Sequence, residues 1–372
     1  MPSPPNLLSS HHRRFSHPVN PLGGITLLIL LLFIPLLMCI SPDTKSRSFA
    51  DALTHERLLP WKGMCVLLIL LSHYTGYITT SPSDETYLLI RSGMGQTVVV
   101  LFFFAAGYGM TLQLTSKGKG YLPRILQKGL RLWILNAAAV VLMLMVQTLR
   151  GREYELSTIL RAFVPLVNLG NSPWFIFAML LCYLFFLLSA VPYLLRPSRP
   201  RLFLLFLLHT VLCCAYIFIL SRQGFDDYWY DTILLFPCGI LAACIQSAVS
   251  KDRSPGALTW SALLSLSMTA VAFFYCFQTR SFVLHELYML SACSLLLVCA
   301  MHYSPGSRLL AFLGRHALSI YLFQRIPMIL FYETGLMDMV PHLAFFPVFS
   351  CVCLITLAVE TIQMRIKKAR SA

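Results

Sequence analysis

The chain has 372 residues, of which 57% are hydrophobic and 12% are charged, whereas roughly a quarter of the residues in an ordinary soluble domain are charged. A water-soluble fold of this length could not bury so much apolar surface, so the composition excludes a soluble globular protein. The formal net charge of +14 would suggest a nucleic-acid partner in a soluble protein. Here most positive residues lie in short connections between apolar runs, where they are typical topology signals. We therefore predict a multi-pass membrane protein without a nucleic-acid partner.

Apolar runs of the length that crosses about 30 Å of hydrocarbon as a helix recur along the whole chain. We predict an all-α integral membrane protein with ten core transmembrane helices and one extra N-terminal hydrophobic helix. The runs lie at about 24–40, 63–80, 94–114, 130–148, 172–195, 202–220, 231–249, 257–277, 284–302, 309–332 and 341–362.

The connections between these runs are short and contain Pro, Gly and charge clusters that stop helices. We therefore predict one membrane domain, residues 61–364, followed by a basic cytoplasmic tail, residues 365–372. Residues 1–60 form an N-terminal arm, an accessory hydrophobic helix and a cytoplasmic connection in this interpretation. The accessory helix also resembles a signal segment, because Arg13 and Arg14 precede its apolar run.

The orientation follows from the positive residues in the connections. If every apolar run crosses the membrane, the connections on one side contain twenty Lys and Arg residues and those on the other side contain eight. The positive-inside rule therefore places the side with twenty in the cytoplasm. The predicted location is the cell membrane, which is the inner membrane if the source is bacterial.

Nearly all of the twelve cysteines lie inside apolar runs, where they are typical small core hydrophobes. The sequence has no CxxC pair and no Cys/His cluster with zinc spacing. We therefore predict neither a metal site nor a thioredoxin-like redox motif.

His73 is the deepest basic group in the apolar runs, and Lys62 lies eleven residues before it. Eleven helical steps bring the two side chains to within about 20° of one direction, with a rise of about 16 Å. The spacing suits a groove with Lys62 at its cytoplasmic mouth and His73 near its middle, where a neutral imidazole could accept a proton. Helix geometry alone favours the alternative, a packing histidine that bonds the backbone of a neighbouring helix.

A second basic group follows the third apolar run, with Lys128 and Arg131 one helical turn apart and Arg124 just before them. Such a cluster suits a phosphate-rich ligand. The alternative is that these residues only fix topology or touch anionic lipid.

The combination resembles the type 3 acyltransferases, multi-pass membrane enzymes that modify cell-surface carbohydrates, often by O-acetylation. The resemblance covers residues 61–362, and the family's order of segments is kept. Lys62 and Lys128 stand where the family pattern has arginine, and Gln324 stands where it has histidine. Lysine keeps the charge of arginine but not its planar fork. The segments that carry the resemblance are Lys62-x10-His73, Phe103-Phe-Ala-Ala-Gly107, Lys128-Gly-Leu-Arg131, Asn171-Ser-Pro-Trp-Phe175 and Gly314-Arg-His-Ala-Leu-Ser-Ile-Tyr-Leu-Phe-Gln324.

The resemblance implies an acyltransferase domain at residues 61–364 whose donor substrate is acetyl-CoA or another acyl-CoA, with no permanently bound cofactor. The donor would bind from the cytoplasm, with its phosphates near Arg124, Lys128 and Arg131. His73 would act as general base on an acceptor hydroxyl, and Lys62 would hold the donor at the mouth of the groove. The implied partners are acyl-CoA, a glycan or lipid-linked saccharide, and membrane lipid.

The expected acceptor groove contains Trp174 and one helical face with Tyr321, Gln324 and Arg325. An arginine inside an apolar run must face the protein interior, paired or hydrated. The outward segment 226–231 puts carboxylates beside aromatic rings, which suits sugar hydroxyls. An interfacial aromatic belt explains those rings equally well.

Two other classes of function remain open from the sequence. One is a non-enzymatic carrier or flippase for a glycan or lipid, although carriers tend to contain internal repeats and none is visible here. The other is an inactive scaffold descended from an enzyme, since Lys62, Lys128 and Gln324 depart from the family pattern.

Overall fold

The structure is a computed structural model. It describes residues 53–78, 96–246 and 281–371, together with single positions or short stretches between residues 28 and 51, between 84 and 91, and at 268–269. Most of the predicted N-terminal helix and the apolar run at 257–277 lie outside the described residues.

The described part of the chain is built almost entirely from helices, as its apolar runs predict. A short antiparallel ladder joins β1, Ile40–Pro42, to β2, Tyr303–Pro305. The helices are α1 His55–Tyr74, α2 Val100–Lys117, α3 Leu122–Leu149, α4 Leu156–Phe163, α5 Trp174–Leu195, α6 Arg199–Arg222, α7 Leu235–Gln246, α8 Phe282–His302, α9 Arg308–Arg315, α10 Ala317–Phe323, α11 Arg325–Glu333, α12 Leu336–Met339 and α13 Pro341–Ser371.

The all-α membrane class is confirmed, but the count of ten core helices and an extra N-terminal helix is not. Within the described residues, six helical segments are long and apolar enough to cross a membrane. One of them joins α2 and α3 through a 3-10 turn at Gly118–Tyr121, where Gly118 takes a φ of +53° that favours glycine. The six segments are His55–Tyr77, Val100–Leu149, Trp174–Leu195, Arg199–Arg222, Phe282–His302 and His342–Ile366.

Two of the predicted runs are not a single helix over their whole described length. The run at 231–249 begins with turns, and helix α7 starts at Leu235, with 12 of its residues described. The run predicted at 309–332 is divided into α9, α10 and α11. An apolar run specifies burial but not where the backbone leaves the helix, so the breaks were not predicted.

Glycines allow two pairs of helices to cross in backbone contact. A Cβ atom at Gly107 of α2 would overlap the carbonyl oxygen of Phe236 in α7, and one at Gly239 of α7 would overlap that of Phe104. In the same way, a Cβ atom at Gly63 of α1 would overlap the carbonyl oxygen of Leu310 in α9. Small residues commonly permit such close helix contacts in membranes. The crossings fix α1 against α9 and α2 against α7.

The contacts between connections agree with alternate crossing of the membrane. The segments predicted on the cytoplasmic side meet, because residues 40–42 pair with 303–305 and α1 touches α9 near Gly63. At the opposite end, Arg150 Nη2 lies 2.5 Å from Glu333 Oε1. Both of these residues belong to segments predicted on the outer side. Which end faces the cytoplasm stays a prediction.

Candidate functional site

His73 lies in the last turn of α1, on the same continuous helix as Lys62. The predicted helix through both residues is therefore present. The His73 side chain is half-buried, and α1 packs against α9, α10 and α11.

The partner of His73 is a side chain and not a backbone group. Arg325, the first residue of α11, donates its Nε–H to His73 Nδ1 at 2.9 Å. Because a guanidinium can only donate, Nδ1 must be the acceptor, and the imidazole in this contact is neutral with its proton on Nε2. We find no hydrogen-bond partner for Nε2 in the described part of the chain. The arrangement leaves one ring nitrogen of His73 available to a ligand.

The segment before α5 holds Arg325 and Tyr321 through its backbone. The Gly170 carbonyl oxygen accepts from Arg325 Nη1 at 3.4 Å, and the Ser172 carbonyl oxygen accepts from the Tyr321 hydroxyl at 2.7 Å. Gly170 has a φ of +116°, and a Cβ atom there would lie 2.8 Å from Gln147 Nε2. The position therefore requires glycine, and its carbonyl is aimed at the arginine that holds His73.

Aromatic rings connect three of the segments on which the resemblance rests. Phe175 packs edge-on against Tyr321, with ring centroids 5.3 Å apart, and against Phe103 at 5.2 Å. The Tyr321 ring in turn lies edge-on to His73 at 6.4 Å. These contacts bring the Phe103, Asn171–Phe175 and Tyr321 segments together at His73.

Trp174 and the loop after α6 form an aromatic surface near the same site. The Trp174 and Tyr228 rings lie edge-on at 6.3 Å, and Tyr228 is 41% exposed. Tyr228 is also close enough to Arg325 for the two groups to interact electrostatically. Trp174, predicted as a groove residue, thus lies beside the outward loop that was predicted separately.

Two carboxylates of that loop have partners within the protein, and one of them, Asp231, is buried. Asp227 accepts a hydrogen bond from the Tyr230 hydroxyl at 2.6 Å. Burial and this bond raise the pKa of Tyr230 to about 12, so the phenol remains a donor at neutral pH. Asp231 is 6% exposed, with one oxygen 3.6 Å from His285 Nε2. Asp227 and Asp231 therefore both have partners within the protein, and Tyr228 is an exposed aromatic side chain of this loop.

At the other end of α1, the structure brings Lys62 close enough to Lys128 for their charges to interact. Lys128 Nζ donates to the Tyr121 hydroxyl at 3.0 Å. Arg124 and Arg131 are exposed on the same face of α3 as Lys128. Within the described ranges, Lys62 has no hydrogen-bond or ion-pair partner. Two of the predicted donor-binding residues thus lie together, and two lie beside them on the surface.

Gln324, predicted to line the groove with Tyr321 and Arg325, is fully buried. Its Nε2 donates to the Tyr321 carbonyl oxygen at 3.1 Å, while its Oε1 has no partner among the described residues. Tyr321 is also buried and its hydroxyl is occupied. Of the three, Arg325 is therefore the residue that hydrogen-bonds His73.

The sequence interpretation missed Arg91 and Gly170. Arg91 Nε donates to the hydroxyl of Ser72, the residue before His73, at 3.3 Å. In the sequence Arg91 counted only as a topology charge, and no local signal connects it to His73. The positive φ of Gly170 likewise could not be predicted, because no sequence signal other than the glycine itself indicates it.

Comparisons with known proteins give one result. A family model described as an acyltransferase domain matches residues 61–362. Neither the curated proteins nor the solved structures provide a significant match to the chain.

Proposed function

Because the chain belongs to the type 3 acyltransferase family, we propose that it transfers an acetyl or similar acyl group from a cytoplasmic acyl-CoA to a hydroxyl of a cell-surface or lipid-linked glycan. Membership establishes a membrane acyltransferase in general. The observation that supports the finer proposal is the half-buried, neutral His73, whose basic nitrogen Nδ1 lies 2.9 Å from the Nε–H of Arg325.

The donor enters from the end of α1 that carries Lys62. Lys62 and His73 are separated along the helix by a rise of about 16 Å, and Lys62 lies near Lys128. Lysine binds phosphate as a point charge, so these two residues suit donor phosphates without the arginine fork. A donor held there by its phosphates extends its flexible arm along α1 and presents its thioester to His73.

The reaction is a direct acyl transfer. His73 removes the proton of the acceptor hydroxyl, whose oxygen attacks the thioester carbonyl carbon. The tetrahedral intermediate then collapses, the carbon–sulfur bond breaks, and the proton on the imidazolium passes to the leaving thiolate. The products are an ester of the acceptor and free CoA thiol.

Arg325 has two tasks in this mechanism. Its Nε–H occupies the lone pair of His73 Nδ1 in the absence of substrate. When the donor binds, the thioester carbonyl oxygen takes over this N–H, which frees Nδ1 to act as the base. The same guanidinium then stabilises the oxyanion, a contribution of about 10²- to 10³-fold in other acyl-transfer enzymes.

The acceptor approaches from the Trp174 and Tyr228 surface. Aromatic faces bind the C–H side of sugar rings, and the phenol of Tyr228 adds a hydrogen-bond donor and acceptor. Because this surface and Lys62 lie at opposite ends of the site, donor and acceptor reach His73 from opposite sides of the membrane.

Changing both Lys128 and Arg131 to Gln should raise the KM for acyl-CoA strongly. Each lost charge-assisted phosphate contact removes roughly 1.5 to 3 kcal/mol, which corresponds to about tenfold or more. The measurement is the initial rate of CoA release against acetyl-CoA concentration. Arg199→Gln is the control, because Arg199 is an exposed arginine predicted on the same side of the membrane. A double variant with the parental KM would mean that the donor binds elsewhere.

A further inference from the structure

Two arginines adjoin His73 at the end of α1. Arg325 Nε donates to His73 Nδ1 at 2.9 Å, and Arg91 Nε donates to the Ser72 hydroxyl at 3.3 Å. The two guanidinium groups also lie close to each other. Each is near enough to interact electrostatically with His73 and with the other.

Neither arginine has a carboxylate partner among the described residues, although both are partly buried. Arg150 provides the contrast within the same end of the protein, because it forms an ion pair with Glu333 at 2.5 Å. Two like charges held together away from bulk water repel each other, and this repulsion falls when an anion binds between them. Among the described residues, the site beside His73 therefore lacks a negative charge.

The geometry of Arg91 suits such an anion. Its Nε is bonded to Ser72, while its terminal Nη groups have no partner in the described part of the chain. A free guanidinium edge binds a carboxylate or phosphate through two parallel hydrogen bonds. The charge of Arg325 adds to the attraction from the other side.

The phosphates of the acyl donor do not fill this site in the proposed function. They lie near Lys62 and Lys128, and Lys62 is separated from His73 by a rise of about 16 Å along α1. The thioester is then the part of the donor at His73, and it is uncharged. The remaining substrate at this end is the acceptor.

We propose that Arg91, supported by Arg325, forms an anion site beside His73, and that the acceptor carries a phosphate or carboxylate group near the hydroxyl that is acylated. This inference rests on the proposed function, because it assigns a substrate class to the same site. The expected acceptors are sugar phosphates, phosphate-linked lipid saccharides and acidic sugars. Neutral sugars are excluded as preferred acceptors.

The test uses the purified full-length chain in phosphatidylcholine vesicles, with glucose, glucose 1-phosphate and glucuronic acid as probes. Two quantities are measured: the apparent Kd of each probe from the shift in melting temperature, and the transfer of label from radiolabelled acetyl-CoA. The anionic probes should bind at least tenfold more tightly than glucose. Arg91→Gln should abolish this preference, Arg91→Lys should keep part of it, and Arg222→Gln should leave it unchanged. Arg222 is a suitable control because it is an exposed arginine at the outward end of α6.

Equal binding of glucose and the anionic probes, or an anion preference that survives Arg91→Gln, would overturn the anion site. Label transfer to glucose in either case would leave the proposed function intact. Vesicles that contain phosphatidylglycerol distinguish the two sources of phosphate. If phosphatidylglycerol raises the melting temperature through Arg91 and the sugar anions do not, the site belongs to a lipid headgroup and the assignment to the acceptor is wrong.

Discussion

Replacing His73 with glutamine should lower acyl transfer by about 10²- to 10⁴-fold, the usual contribution of a general base. The amide oxygen of glutamine can accept the Arg325 Nε–H that His73 Nδ1 accepts at 2.9 Å, so the contact between α1 and α11 is kept. The amide cannot take up a proton from the acceptor at neutral pH. We therefore expect an inactive protein with a near-parental melting temperature in detergent and normal binding of acyl-CoA.

Two further variants distinguish a catalytic histidine from a packing histidine. His73→Ala removes both the base and the contact with Arg325, so it should be inactive and less stable. His55→Gln is the matched control, because His55 is an exposed histidine at the start of the same helix. If glutamine at position 73 restored near-parental transfer, His73 would be structural, and membership of the family would describe the fold alone.

Replacing Gly107 with alanine should prevent α2 and α7 from packing. The added Cβ would overlap the Phe236 carbonyl oxygen, a backbone atom that cannot rotate away as a side chain can. Overpacking a well-packed interior costs about 1 to 3 kcal/mol and more when the backbone must move. We expect a large fall in melting temperature and in the yield of monodisperse protein.

Gly109→Ala is the matched control for this change. Gly109 lies in the same helix two residues later, and a Cβ there would meet nothing within 4 Å. Equal melting temperatures for the two variants would contradict the close crossing of α2 and α7.

Long apolar runs predicted most of the transmembrane helices well. The run at 172–195 corresponds to α5, Trp174–Leu195, and the run at 284–302 corresponds to α8, Phe282–His302. Local composition and charge determine which segments insert into the membrane, so these helices can be predicted from the local sequence. The continuous helix through Lys62 and His73 follows in the same way.

The contacts that define the site could not be predicted in this way. Arg325 and His73 are 252 positions apart, and helical periodicity gives the face of each residue but not which helices are neighbours. The sequence did place Arg325 in the protein interior, because a charge in an apolar run needs a partner. It could not identify that partner.

The hydrogen bond between His73 and the Arg325 side chain was also not predicted. The sequence left open a neutral base and a packing histidine bonded to a neighbouring backbone, whereas in the structure Nδ1 accepts from Arg325 Nε. In the proposed mechanism the lone pair of Nδ1 is occupied until the donor arrives, so we expect the donor to bind first and the acceptor second.

Acyl transfer from acyl-CoA at His73 can be measured directly with the full-length protein, purified and reconstituted in vesicles. Radiolabelled acetyl-CoA is added on the side of Lys62, and the release of CoA thiol and the position of the label are followed together. We expect CoA thiol to appear as the label moves to an acceptor or to water, and His73→Gln to abolish both. Intact acetyl-CoA after incubation with folded protein, or turnover that His73→Gln leaves unchanged, would show that His73 does not catalyse acyl transfer from acyl-CoA.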